Sequence, residues 1–279
     1  MKLLERLFAP TWAGGWAVMR ITYALAGLIT ILPTARFIED AYGAQDAVFS
    51  APPLFLNDWY HPTVAEAWGW YGGAVLGLLA LLWGGRLAKP GLLLWIVCFW
   101  VYLGAEAMNI KAYHRLLTWE ALALAFAPIG ERGLLHKYRS PFARYVLLLV
   151  FMALYGSTGW LKALHEPAWA DGSVLQYHLV DLHFGVGPLA AWVSTQRWLT
   201  APMGWVTVAF EVLFPVLVFV RRLNPWLLLI GASFHVGIAL LMQIDAFSWV
   251  AIAAYPVLLH PAVGEALAAR FGPKSLPAD

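Results

Sequence analysis

The sequence predicts an all-α integral membrane protein with about eight transmembrane helices, and three observations predict it. Hydrophobic residues fill 61% of the 279 positions and charged residues 12%, with a mean hydropathy of +0.68. A soluble domain holds about half and about a quarter respectively. Apolar runs long enough to cross a bilayer recur along the chain. Tryptophan (16) and tyrosine (11) are abundant, as aromatic belts at two membrane interfaces require.

A spanning helix needs about 20 mostly apolar residues, and the candidates lie at roughly 12–34, 67–84, 90–108, 116–130, 145–164, 202–220, 225–243 and 246–260. The fourth and eighth are the shortest. Pro, Gly and charged residues mark the breaks, as in Gly84-Gly85-Arg86, Lys89-Pro90 and Arg221-Arg222-Leu223-Asn224-Pro225. Lys2 and Arg6 precede no short apolar core with a small-residue cleavage site, so the first apolar stretch is read as a retained helix.

Basic residues orient these spans. With the N-terminus in the cytoplasm, the inner segments hold Lys2, Arg6, Arg86, Lys89, Arg132, Lys137, Arg139, Arg144, Arg221, Arg222, Arg270 and Lys274. The outer side holds Arg36, Lys111, Arg115, Lys162 and Arg197. The bias fits the positive-inside rule and places both termini in the cytoplasm. Outer segments of roughly 35–66 and 165–201 remain, and SVLQYHLVDLHF in the second reads as an amphipathic interfacial helix. No repeat or soluble segment interrupts the pattern, so a single membrane domain is expected over 1–279.

Composition also excludes functions. A formal charge of +2 gives no basis for nucleic-acid binding. The single cysteine, Cys98, makes neither an intramolecular disulfide nor a thiolate cage. His178 and His183 miss the i, i+4 spacing of a helical metal pair, and no His-Glu-x-x-His or Cys-x-x-Cys-His occurs. No metal or haem is expected.

Ionisable residues inside an apolar bundle face its interior and find partners. On this topology Glu106, His114, Glu120, Lys162, His165 and Asp245 fall in the outer half. Glu211 and His235 lie near the middle of their helices, and Arg20 toward the inner end of the first. The asymmetry suggests a polar cavity that opens outward. Each residue also has a plainer reading. Lys162 can snorkel to the interface. Glu211 and His235 can share a structural hydrogen bond. His114 can be solvated at its helix start. Arg20 can pair with an acid or a phospholipid headgroup.

The order of these features resembles the HTTM family, the membrane domain shared with vitamin K-dependent gamma-carboxylase. WAVMRITYALAGL, then Arg36 and Asp40-Ala41-Tyr42, is similar to that family's opening Arg-containing helix and Tyr turn. Tyr113-His114 opens a helix that ends in AFAPIG. YGSTGWLKALHEPAWADG is similar to its aromatic–Gly–Lys-Leu–Trp–Gly block. Glu211 in FEVLFP, His235 in SFHVGIALLM and Phe247-Ser248 follow in family order.

The resemblance implies a membrane enzyme that uses a reduced quinone of the vitamin K or menaquinone type. Dioxygen and carbon dioxide are the co-substrates if it carboxylates. Lys162 matches the lysine that deprotonates the quinol, and His235, Glu211 and His114 would position groups or relay protons. An ammonium is a poor base at neutral pH, and a desolvated site favours the free amine. Trp160, Trp169 and His165 would hold the quinone ring. Neither a signal nor a retention motif is read in the chain, so a bacterial inner membrane is expected, and the resemblance implies an active side facing outward. The partners are the lipid bilayer, a lipid quinone and a peptide or protein substrate.

This chain also departs from the carboxylase pattern. The large lumenal domain is absent from it, PIGERGLLHKY lacks a His-containing motif of fuller members, and Trp169 lies seven residues beyond Lys162. A non-catalytic accessory protein and a DoxX-like quinone-linked protein are the alternatives. A transporter fits less well, because the polar groups are one-sided and no inverted repeat appears.

Overall fold

A computed structural model describes residues 12–43, 60, 62–104, 111–129 and 141–271. It is helical throughout, and the β pairing among the described residues is one isolated bridge between Gly185 and Met242. The chain forms two compact units. One comprises residues 16–133, the other residues 1–15 with 134–279.

The 16–133 unit contains α1 (Gly14–Ile31), continued by a 3-10 turn into α2 (Ile38–Gly43), then α3 (Val64–Trp83), α4 (Ala88–Gly104) and α5 (Ala112–Phe126). Thr63 and Glu66 form a reciprocal capping box that starts α3. Gly84, at φ +80°, turns the chain from α3 toward α4. A Cβ at Gly77 would lie 2.5 Å from the Trp95 nitrogen, so glycine permits backbone-level contact between these helices. The Arg20 guanidinium donates to the carbonyls of Leu81 and Leu82, the latter at 2.7 Å. It therefore satisfies the open C-terminal end of α3.

The larger unit contains α6 (Phe142–His165), the short helices α7 (Ala168–Asp171), α8 (Ser173–Val180) and α9 (Gly187–Ser194), then α10 (Arg197–Leu217), α11 (Asn224–Leu241), α12 (Asp245–Ala253), α13 (Tyr255–Leu258) and α14 (Pro261–Phe271). Arg144, at the base of α6, donates to the carbonyls of Val257 and Leu258 beyond α12. Asn224 is fully buried, donates to the carbonyls of Val218 and Leu258, and accepts from the His260 N–H. These bonds serve backbone groups freed where the helix breaks around Pro256 and Pro261.

Among the described residues, six helical segments are long and apolar enough to cross a membrane: Gly14–Gly43, Val64–Trp83, Gly85–Leu103, Phe142–His165, Arg197–Leu217 and Asn224–Leu241. Ala246–Leu258 with Pro261–Arg270, bent by 84°, makes a seventh if the pair counts as one span. The sequence places a further span at 116–130. There α5 has 15 residues and stops before Pro128, a length of roughly 22 Å against a bilayer core of about 30 Å. In each of the six, only 28–44% of the most apolar window is buried. The remaining apolar faces need a non-aqueous neighbour, and the lipid bilayer supplies it. This is an integral membrane protein.

The segment 165–201 contains α7, α8 and α9, and α8 covers SVLQYHLV of the stretch read as an interfacial helix, ending at Val180 before the remaining DLHF. Leu175 and Leu179 turn inward while Tyr177 and Val180 are exposed, so α8 has two distinct faces. The Asp181 carboxylate is held below its usual range, chiefly by the His183 backbone N–H that it accepts at 2.7 Å.

Candidate functional site

The polar centre of the larger unit is built where α6 crosses α10. Gly156 and Gly159 face α10 on one side of α6. A Cβ at Gly159 would lie 2.7 Å from both the Glu211 Cβ and the Val212 nitrogen, and one at Gly156 would lie 3.1 Å from the Pro215 ring. This close approach brings the next turn of α6 within reach of Glu211. Lys162 Nζ donates to both Glu211 oxygens, at 2.6 and 2.7 Å. The side chains are 18% and 6% exposed.

The same ammonium lies 4.6 Å from the centre of the Trp169 ring, a cation–π distance. Trp169 is fixed in turn by donating to Glu166, and its carbonyl packs on Gly204 of α10. Trp205 holds the same turn by donating to the Ala170 carbonyl. Lys162 is therefore gripped by a carboxylate on one side and an aromatic face on another.

Seven residues before Lys162, and so on the same side of α6, Tyr155 forms a second polar centre. Its hydroxyl meets His235 Nε2 at 2.7 Å and the Tyr255 hydroxyl at 2.9 Å. His235 is fully buried, and its Nδ1 has no hydrogen-bond partner. Phe234, Phe247, Tyr155 and Tyr255 surround the imidazole. Phe210, next to Glu211 in sequence, packs on Tyr155 at 5.0 Å, which joins the two centres through one aromatic contact.

The predicted residues do not all converge. Lys162, Glu211 and Trp169 meet directly, and His235 joins through Tyr155. Trp160 is 54% exposed and lies two residues from Lys162, about 200° around the helix, so it turns away from the ion pair. His165 is exposed at the end of α6. His114 belongs to the 16–133 unit, where it is buried, accepts the Lys111 N–H at Nδ1 and packs on Phe99. Glu120 belongs to that unit as well. Glu106 and the Asp245 side chain lie outside the described residues. Sequence reading missed Tyr155, Tyr255 and the paired glycines. The legible signal was the spacing on α6, where Tyr155, Gly159 and Lys162 share a face.

An apolar groove of about 600 Å³ runs between α8, α10 and α11, with Leu175, Trp198, Met203, Thr207, Phe234 and Leu241 in its walls. The hydroxyls of Thr207 and Ser233, both in the wall, donate to carbonyls of their own helices, leaving a largely hydrocarbon surface. Thr207 is one helical turn from Glu211, but Lys162, Trp169 and Glu211 are not in the groove's walls. Among the described residues, no three His, Cys, Asp or Glu side chains gather as a metal-binding set. No family model, curated protein or solved structure matches the chain.

Proposed function

We propose that this chain is a membrane enzyme that uses a reduced quinone, of the vitamin K or menaquinone type, to drive carboxylation or a related proton abstraction. The observation that carries this reading is the Lys162–Glu211 pair, an acid and a base in direct contact beside an aromatic face. The reduced quinone supplies electrons and, with dioxygen, the basicity needed to attack a carbon acid; carbon dioxide is the source of a new carboxyl group.

The residues then have distinct tasks. The groove and Trp169 hold an apolar ring and tail. Glu211 Oε accepts a hydroxyl proton, while the Lys162 ammonium faces the oxygen that has lost it. Lys162 serves as the base itself when that proton first passes from its Nζ to Glu211, so both descriptions involve one shared proton. His235 and Tyr155 position the neighbouring helices. In the proposed topology α5 and the bent α12–α14 pair both cross, giving eight passes with cytoplasmic termini in a bacterial inner membrane and the pair toward the outer face.

The second reading is a non-catalytic accessory protein. It is favoured by the closed geometry of the pair, in which Lys162 already donates to both Glu211 oxygens, and by the outward turn of Trp160. One assay separates the two. The chain, purified in lipid nanodiscs, is given reduced menaquinone or reduced vitamin K, and quinol oxidation and oxygen uptake are followed. The enzyme reading expects Lys162→Ala and Glu211→Gln each to lower the rate by about 100-fold or more. Full oxidation by a folded Lys162→Ala variant, or no oxidation by the wild-type chain, overturns it.

A further inference from the structure

The 16–133 unit contains a carboxyl group for which the reading above has no use. Glu120 lies in the middle of α5 and is fully buried. Neither of its oxygens has a hydrogen-bond partner. Tyr23 of α1, whose hydroxyl feels the Glu120 charge, already donates to the Leu117 carbonyl at 2.9 Å and accepts from Trp95 Nε1 at 2.9 Å. Arg20, one turn earlier on α1, donates from one guanidinium nitrogen to the carbonyls of Leu81 and Leu82. From α4, Trp95 and Phe99 face this region and bring no charge. On α5 itself His114 is six residues away, on another face, with Nδ1 engaged by the Lys111 N–H.

A bare carboxylate enclosed in apolar surroundings is very costly, and its usual remedies are a paired cation, several N–H donors or a proton. The first two are missing among the described residues. We infer that Glu120 is a membrane-embedded proton-binding site, neutral in this packing and able to release its proton only when the unit repacks to bring water or a cation to the carboxyl. Proton release is then coupled to a conformational change in the unit. Intramembrane ionisable groups commonly mark such relays. The membrane setting of Glu120 rests on the crossing of α5 proposed above, while its residues are separate from those of the quinol site.

The test uses the full chain in lipid nanodiscs at neutral pH. Infrared spectra of wild type and Glu120→Gln are compared in the carbonyl region of protonated carboxylic acids. The expected result is one protonated-carboxyl band in the wild type that is lost in Glu120→Gln. Identical spectra from two folded proteins overturn the proposal. If Glu120→Gln does not fold, the wild type decides alone. N,N′-dicyclohexylcarbodiimide, an apolar reagent, adds to protonated carboxyls: the acid proton moves to one reagent nitrogen and a carboxyl oxygen bonds to its central carbon. An adduct mapped to Glu120 by peptide mass spectrometry is expected, and its absence overturns the proposal.

Discussion

Lys162 acquires its meaning from a partner 49 residues away. Position on the hydropathy profile marks Lys162 and Glu211 as unusual, but separate helices carry no register that says which residues meet. The contact depends on Gly159, whose missing side chain lets α6 approach α10. A double-mutant cycle measures what the contact contributes. Lys162→Met leaves Glu211 without its cation and should cost about 3 kcal/mol, toward the lower end for a broken buried pair because Lys162 retains some exposure. Glu211→Leu leaves a lysine free to snorkel, and should cost about 1–2 kcal/mol. Restoring apolar packing on both sides, Lys162→Met with Glu211→Leu should cost less than the sum, with a coupling of about 1–3 kcal/mol. Unfolding in mixed micelles reads these values. Additivity within about 0.5 kcal/mol would mean that the pair is not formed in the membrane.

Helices and turns were legible where one chemical rule decided them. The Gly84 turn and the proline-marked breaks follow from residue types the sequence displays. Helix crossings were not legible, because a glycine in an apolar run is also compatible with an open lipid-facing surface. The two cases separate cleanly. A Cβ at Gly159 would press on the Glu211 Cβ and Val212 backbone, whereas one at Gly69 or Gly72 of α3 would meet nothing within 4 Å. Gly159→Ala should therefore destabilise the protein by about 1–3 kcal/mol through overpacking, and should weaken the Lys162–Glu211 contact by pushing α6 from α10. Gly69→Ala should be neutral or stabilising by up to about 1 kcal/mol, since alanine favours the helix. Equal effects at the two positions would contradict the close crossing. The polar trio Tyr155, His235 and Tyr255 teaches the same lesson. His235 was visible as a buried imidazole in prospect, but its tyrosine partners resemble any other interfacial aromatics until the helices are packed.

At the scale of the molecule, hydropathy decides the fold class because lipid requires a long apolar helix for each crossing. It does not decide how many helices cross. The α5 helix is a turn or more too short for the bilayer core, and α12–α14 bends by 84° where prolines interrupt it. Charge adds what length cannot, since basic residues at the turns select an orientation. That orientation is testable with the one native thiol, buried Cys98, replaced by serine. In that background Arg86→Cys probes the α3–α4 turn and Leu182→Cys probes the segment between α8 and α9, where Leu182 is 92% exposed. The charge pattern predicts that a membrane-impermeant maleimide added outside intact cells labels Leu182→Cys, while Arg86→Cys reacts only after the membrane is opened. The reverse pattern would invert every span and move the Lys162–Glu211 pair to the cytoplasmic half. Labelling of both from outside would require an odd number of crossings between residues 86 and 182 to be replaced by an even one. Three crossings by α4, α5 and α6 connect those turns when α5 spans, and two when it does not. The same two thiols thus also determine whether the 15-residue α5 crosses the membrane.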